Sequence, residues 1–321
     1  MKLPFAGRLL AVAVLAAASA SAALPLSSAF AAETAAKPKV GLVMKSLANE
    51  FFVTMQDGAK EYQKAHAADF DMITNGIKNE TDTSAQIDIV NQMILSKVDA
   101  IVIAPADSKA LVTVLKKASD KGIKIVNIDN RLDVDVLKSK NLDIPFVGPD
   151  NRKGARLVGE ELAKHLTKGD QVGIIEGVST TTNAQQRTAG FKDAMDAAGM
   201  KIVSTQSGEW EIDKGNAIAA AMLQANPNIK ALLAGNDNMA LGAVSAVRGA
   251  GKAGKVLVVG YDNIEAIKPM LQDGRVLATA DQAAAQQAVF GIQNALKLVK
   301  GEKVDAVDGM IETPVELILK K

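Results

Sequence analysis

Eleven side chains of this 321-residue sequence have types suited to holding a neutral, hydroxylated molecule. They are Lys45, Asn49, Phe51, Phe52, Asp129, Asn130, Arg187, Trp210, Asn236, Asp262 and Gln282. Planar Asp, Asn, Gln and Arg groups make paired hydrogen bonds to hydroxyls, which both donate and accept. The apolar C–H faces of a sugar-like molecule lie flat on aromatic rings. Asp129, Asp262 and Asp281 balance Lys45, Arg131 and Arg187, so the guest needs no net charge. The chain has only eight Phe, two Tyr and one Trp, which makes their placement informative.

Each residue also has a plainer reading. Asn236, Asp237 and Asp107 suit helix N-caps, Phe51 and Phe52 suit a core, and Arg187 with Asp262 suits a surface ion pair. The pattern gains weight because these residues, with Tyr261, all follow apolar runs. In open α/β sheets the carboxyl ends of strands are where ligands bind.

Other chemistries find little support. Gly249-Ala250-Gly251-Lys252-Ala253-Gly254-Lys255 satisfies G-x-G-x-x-G, but it follows a helix pattern and precedes a strand, the reverse of a phosphate-binding loop. It reads as a helix end and turn. His66 and His165 stand alone at helix ends, without metal-ligand spacing. There is no G-x-S-x-G elbow and no cysteine, hence no disulfide, thiol nucleophile or thiolate metal site. No cofactor is expected, and no enzymatic activity.

The elements that must position these residues alternate in type. Val40 to Met44 is an apolar run, and Phe52, Met55, Ala59, Tyr62 and His66 then recur on one helical face. Strands are expected at 69–73, 98–104, 123–128 and 144–147. Thr83 with Gln86 has capping-box spacing before a helix, and another helix is expected over 108–119. A second series follows: helices over 152–166, 183–198, 213–225, 237–250 and 264–271, with strands at 172–175, 201–205, 229–234, 255–260 and 276–279. A long helix over 283–300 and an extended stretch over 309–319 end it. Short apolar strands alternating with helices mean parallel sheets covered on both faces. The fold class is therefore α/β, with two doubly wound, Rossmann-like lobes joined by a multi-strand hinge. The expected division is 38–148 plus 283–311 in the first lobe, and 149–282 plus 312–321 in the second.

Residues 1–31 read as a cleavable leader, with Lys2 and Arg8 before the apolar Leu9–Ala23 and an A-x-A site at 29–31. Removing it leaves 35 basic against 36 acidic side chains, a balance without a nucleic-acid footprint. The mature chain is expected in the periplasm, without a membrane anchor, as a monomer.

Several blocks resemble one known family. NEFFVTMQDGAK (49–60), IAPADS (103–108), IVNIDNR (125–131), RTAGF (187–191), GNDNMALGA (235–243) and VVGYD (258–262) are similar to the ribose-binding group of periplasmic sugar-binding proteins that serve ABC transporters. The resemblance spans the mature chain and implies the type I periplasmic-binding-protein fold. It implies ring stacking by Phe51, Phe52 and Trp210, and hydrogen bonding by Asn49, Asp129, Arg187, Asn236, Asp262 and Gln282. Three positions depart from the group's pattern: Lys45 where Ser is usual, Glu50 where Pro is usual, and Asn130 where Arg follows the aspartate. These departures point away from ribose, toward another pentose, a hexose or a sugar alcohol.

The expected function is capture of one small neutral sugar or polyol between two lobes by hinge closure, and delivery to an ABC permease. A chemoreceptor is a second docking partner the family implies. The rivals are a ligand-reporting partner for a membrane sensor or quorum signal, and an exported sugar-modifying enzyme. A lactose-repressor-type regulator shares the fold but predicts an N-terminal helix-turn-helix in place of the leader.

Overall fold

The computed structural model describes residues 36–320; the expected leader lies outside them. In chain order the elements are β1 Lys39–Ser46, α1 Glu50–Ala65, β2 Asp71–Ile77, α2 Thr83–Leu95, β3 Ala100–Ile103, α3 Val112–Ser119, β4 Lys124–Ile128, α4 Val134–Ser139 and β5 Phe146–Gly148. They continue with α5 Asn151–Ala163, β6 Gln171–Glu176, α6 Thr182–Ala197, β7 Lys201–Ser207, α7 Ile212–Ala225, β8 Ile229–Ala234, α8 Asp237–Gly249 and β9 Leu257–Val259. A 3-10 turn at Glu265–Ile267 leads into α9 Lys268–Asp273, then β10 Ala278–Asp281, α10 Ala284–Val299, β11 Met310–Glu312 and β12 Glu316–Leu319.

Two six-stranded sheets result, ordered β11-β5-β4-β3-β1-β2 and β12-β10-β9-β8-β6-β7. Counted from its own first strand, each lobe orders its first five strands alike, so the second half repeats the first up to the added edge strand. All pairings are parallel except β10 with β12. The central strands are mainly apolar, and AIVI of β3 is wholly buried, because helices cover both faces. Edge strand β2 instead alternates exposed and half-buried residues along DMITNGI.

Three segments pass between the sheets: from β5 to α5, from β10 to α10, and from β11 to β12. After the second crossing, α10 packs on α1, β3 and β4 of the first sheet. Gly291 lets it sit close, since a Cβ there would lie 2.8 Å from both Ile128 and Val102. Thr313 N–H donates to Gly148 O at 2.9 Å, tying the third crossing to the first.

The differences from the sequence expectation are local. The α2 cap is Asp82, whose side chain accepts from Ala85 N, not Thr83. Gln86, read as the far half of that cap, is buried and donates to Met44 O and Ala104 O while accepting from Ala106 N. It thereby fastens the ends of β1 and β3. Helix α3 begins at Val112 rather than Ser108, because Asp107 holds Lys109 N and Ala110 N in a turn at 2.7 Å each. The polar segment before Asn141 contains the short α4. Strand β2 runs to Ile77, four residues past the expected end, which proves consequential for the site. The Gly249–Lys255 motif is indeed a helix end and turn, with Gly251 and Gly254 at φ 65° and 72°.

Helices α5 and α6 cross closely at Gly190, where a Cβ would lie 2.2 Å from Arg152 O and 2.9 Å from Arg156 N. Such backbone overlap forces the helices apart, at a cost of about 1–3 kcal/mol. The Gly190→Ala variant should therefore melt several degrees lower by calorimetry, at about 2–4 °C per kcal/mol for a chain this size. Gly249→Ala, where a Cβ meets open space, should leave the melting temperature unchanged or slightly raised.

Candidate functional site

Both sheets have the order in which the first strand sits inside the second, so each has a switch point between its first and third strands. The loops leaving those carboxyl ends meet at one cavity. Lys45 ends β1; Asn49 caps α1, accepting from Phe51 N; and Phe51 and Phe52 open that helix. Asp129 follows β4, Asn236 follows β8 as the cap of α8, and Gln282 follows β10. Arg187 lies in α6, Trp210 before α7, and Asp262 after β9.

Twelve residues line the cavity: ten of the eleven candidates, plus Glu80 and Asn183. All twelve are buried. The unfilled space between them is about 220 Å³, open solvent at its mouth included.

Arg187 organises the second-lobe wall. Its Nε donates to Asn151 Oδ1 (2.8 Å), Nη1 to Gly235 O (2.9 Å) and Asp262 Oδ1 (3.3 Å), and Nη2 to Gln282 Oε1 (3.1 Å). Its guanidinium lies 3.8 Å from the Tyr261 ring centroid and 5.4 Å from that of Trp210. Gln282 returns a bond from Nε2 to Asp262 Oδ1 at 2.7 Å. In the first lobe Lys45 Nζ stands 3.3 Å from Glu80 Oε2 and 3.9 Å from Asp129 Oδ2, and Asn49 Nδ2 donates to Glu80 Oε1 at 2.9 Å. Phe51 and Phe52 meet edge to face, centroids 5.1 Å apart. Among the described residues, Glu80 Oε2, Asp129 Oδ2 and Trp210 Nε1 have no hydrogen-bond partner.

The backbone is unusual here as well. Asp129, Trp210 and Asp262 have φ of 62°, 69° and 123°, a region costly for non-glycine residues, about 1–3 kcal/mol each. The Trp210 indole lies where a Cβ on Gly177 would come within 2.0 Å of it, so that position must be glycine.

Residues 40–303 match the family model described as the periplasmic binding protein domain. The chain belongs to this family. The D-ribose/D-allose-binding protein of Pseudomonas aeruginosa is 72% identical over 99% of both chains. A solute-binding protein of an ABC transporter from Burkholderia multivorans, solved with an unknown ligand represented as alpha-D-erythrofuranose, is 74% identical with a TM-score of 0.86, covering 88% of this chain and 100% of that one. One from Actinobacillus succinogenes with bound D-allose is 37% identical, TM-score 0.82, covering 88% and 98%. The resemblance to the ribose-binding group and the two-lobed α/β fold class are both borne out.

As a periplasmic binding protein, the chain departs from its sequence reading in several places. Asn130 is not on the cavity wall: its Nδ2 donates to Pro105 O at 2.9 Å and its Oδ1 accepts from Asn183 N at 3.3 Å. The β4 end turns at Asp129, which points the next side chain away from the cavity. Lys45 lines the cavity, as expected, with its ammonium also paired to Glu80 and Asp129. Tyr261 backs Arg187 rather than lining the cavity, Asp281 holds Ala283 N, and Arg131 donates outward to Asp308 O. Glu80 was missed because β2 was ended too early; the strand-end rule finds it once β2 reaches Ile77. Asn183 had a signal too, lying four residues before Arg187 on one helical face.

Burial pushes the carboxyls of Glu80, Asp129 and Asp262 above the usual range, against the pull of Lys45 on the first two and of Arg187 on Asp129 and Asp262. Behind them, burial lifts Asp237 from 3.8 to about 6 despite bonds from Thr279 Oγ1 and Ile264 N. A raised carboxyl makes the native state bind the extra proton. Its contribution to stability is full below about pH 3.8 and lost as the pH rises through about 6. Urea melts from pH 4 to 7 should show stability falling with pH across this window, and Asp237→Asn should flatten the fall.

Proposed function

We propose that this chain is a periplasmic receptor that closes its lobes over one neutral monosaccharide of the ribose and allose kind and hands it to an ABC permease. The observation that carries this reading is the buried, polar-lined pocket between the two lobes, with unpartnered polar atoms on its walls. Hydroxyls can donate to Glu80 Oε2 and Asp129 Oδ2 and accept from Trp210 Nε1. The flat faces of a pyranose or furanose suit Phe51, Phe52 and Trp210. Arg187 spends four of its five N–H directions on protein acceptors, which leaves one on Nη2 for a ring or hydroxyl oxygen.

The two sugars come from the relatives: one is named for D-ribose and D-allose, and one solved structure holds D-allose. In this reading residues 1–31 direct export and are removed. The lobes are 38–148 with 283–311 and 149–282 with 312–321, and the receptor acts as a monomer without turnover of its ligand. The arginine, held in four of its five N–H directions, supports a binding rather than a catalytic role.

Titration calorimetry with D-allose and D-ribose should give saturable one-to-one binding. Arg187→Ala should weaken it by about 10- to 150-fold, the range for charge-assisted bonds of ~1.5–3 kcal/mol. No saturable ligand in a wider sugar and polyol panel would overturn the proposal. Recovery of chemically altered sugar would move the chain to the enzymes.

A further inference from the structure

Helix α6 carries Asn183 and Arg187 of the cavity wall, yet Thr181 at its start makes no side-chain capping bond. Asn49, Asp82, Asp150 and Asn236 do make one at the starts of α1, α2, α5 and α8. Ile264, before the turn leading to α9, makes none either. The first N–H groups of a helix have no partner within it, so each start must find acceptors elsewhere.

Both find them in the opposite lobe. Ser108 Oγ, in the turn after β3, accepts from Thr182 N at 2.9 Å, and its hydroxyl also meets Thr182 Oγ1 at 3.1 Å. Asn130 Oδ1, after β4, accepts from Asn183 N at 3.3 Å. Elsewhere along the cleft, the two carboxylate oxygens of Glu50 accept from Glu265 N (2.7 Å) and Ala266 N (3.2 Å). A reciprocal bond runs from Glu80 N to Glu211 Oε1 at 3.1 Å. Glu50 and Asn130 are two of the three positions where the chain departs from the ribose-group pattern.

We propose that Glu50, Ser108 and Asn130 are positioning residues that cap second-lobe segments in trans when the lobes close, so that sugar retention depends on bonds that never touch the sugar. The proposal rests on the sugar-receptor reading. With the lobes apart, these N–H groups and side-chain oxygens face water; on closure each supplies what the other lacks. The cap on α6 also fixes the helix that presents Arg187. Because such bonds form after encounter, they act on release rather than capture.

The test uses Ser108→Ala, Glu50→Ala, their combination and Glu50→Gln, with D-allose and D-ribose as probes in stopped-flow and calorimetry. Each alanine variant should release sugar about 2- to 30-fold faster, the range for losing a capping bond. Association should stay within about twofold, the combined variant should multiply the two effects, and Glu50→Gln, which keeps one acceptor, should fall between. The ligand-free melting temperature of Glu50→Ala should not move, since its carboxylate bonds only across the cleft; Ser108→Ala also loses bonds to Arg131 O and Asn130 Oδ1 inside its own lobe, so its melting temperature is set apart from the test. Release rates equal to wild type in both alanine variants, or a matching fall in the ligand-free melting temperature of Glu50→Ala, would overturn the proposal. Failure of the wild type to bind either sugar would instead overturn the reading beneath it.

Discussion

A guanidinium that cannot reach water must be held on every side, and Arg187 sets that requirement for the centre of this molecule. Removing a charge from water costs several kcal/mol unless partners replace the solvent. Arg187 meets the requirement with Asn151 and Gln282, which lie on two of the segments joining the lobes, and with Gly235 O and Asp262. Tyr261 lies beneath it. The cavity wall and the hinge are thus one hydrogen-bonded unit, and a shift in one reorients the other. The first lobe has a looser counterpart in Lys45, shared between Glu80 and Asp129.

The two lobes repeat one topology but divide the work unequally. The first contributes most of the carboxylates and two rings set edge to face, the second the arginine and the indole. Positive φ values at Asp129, Trp210 and Asp262 show local backbone preference being overridden where the loops must turn side chains inward. That strain is tolerated because the surrounding core is dense, with the central strands of both sheets covered on both faces.

Much of this was legible in the sequence because period and chemistry agree along the chain. Apolar runs of four to eight residues such as VDAIVIA and IKALLA mark central strands whatever surrounds them, and the residue after each is a candidate by topology alone. Edge strands are less legible. DMITNGI alternates and ends in Gly and Ile, so its length was misjudged and Glu80 with it. Asn130 was misplaced for a different reason. A turn at positive φ sends neighbouring side chains apart, and adjacency in sequence says nothing of which one faces inward. The capping relations between lobes were invisible, because a cap supplied from a distant segment leaves no local spacing.

The strands at the end of the chain have a temporal consequence. β11 borders one sheet and β12 the other, while α10 covers β3 and β4 only after the intervening lobe has been threaded. Neither sheet is complete until β11 and β12 have been added. During synthesis the earlier half keeps an apolar flank bare, with contacts that span most of the chain still unmade, a topology that favours slow acquisition of structure. A polypeptide built this way stays pliable until it is whole.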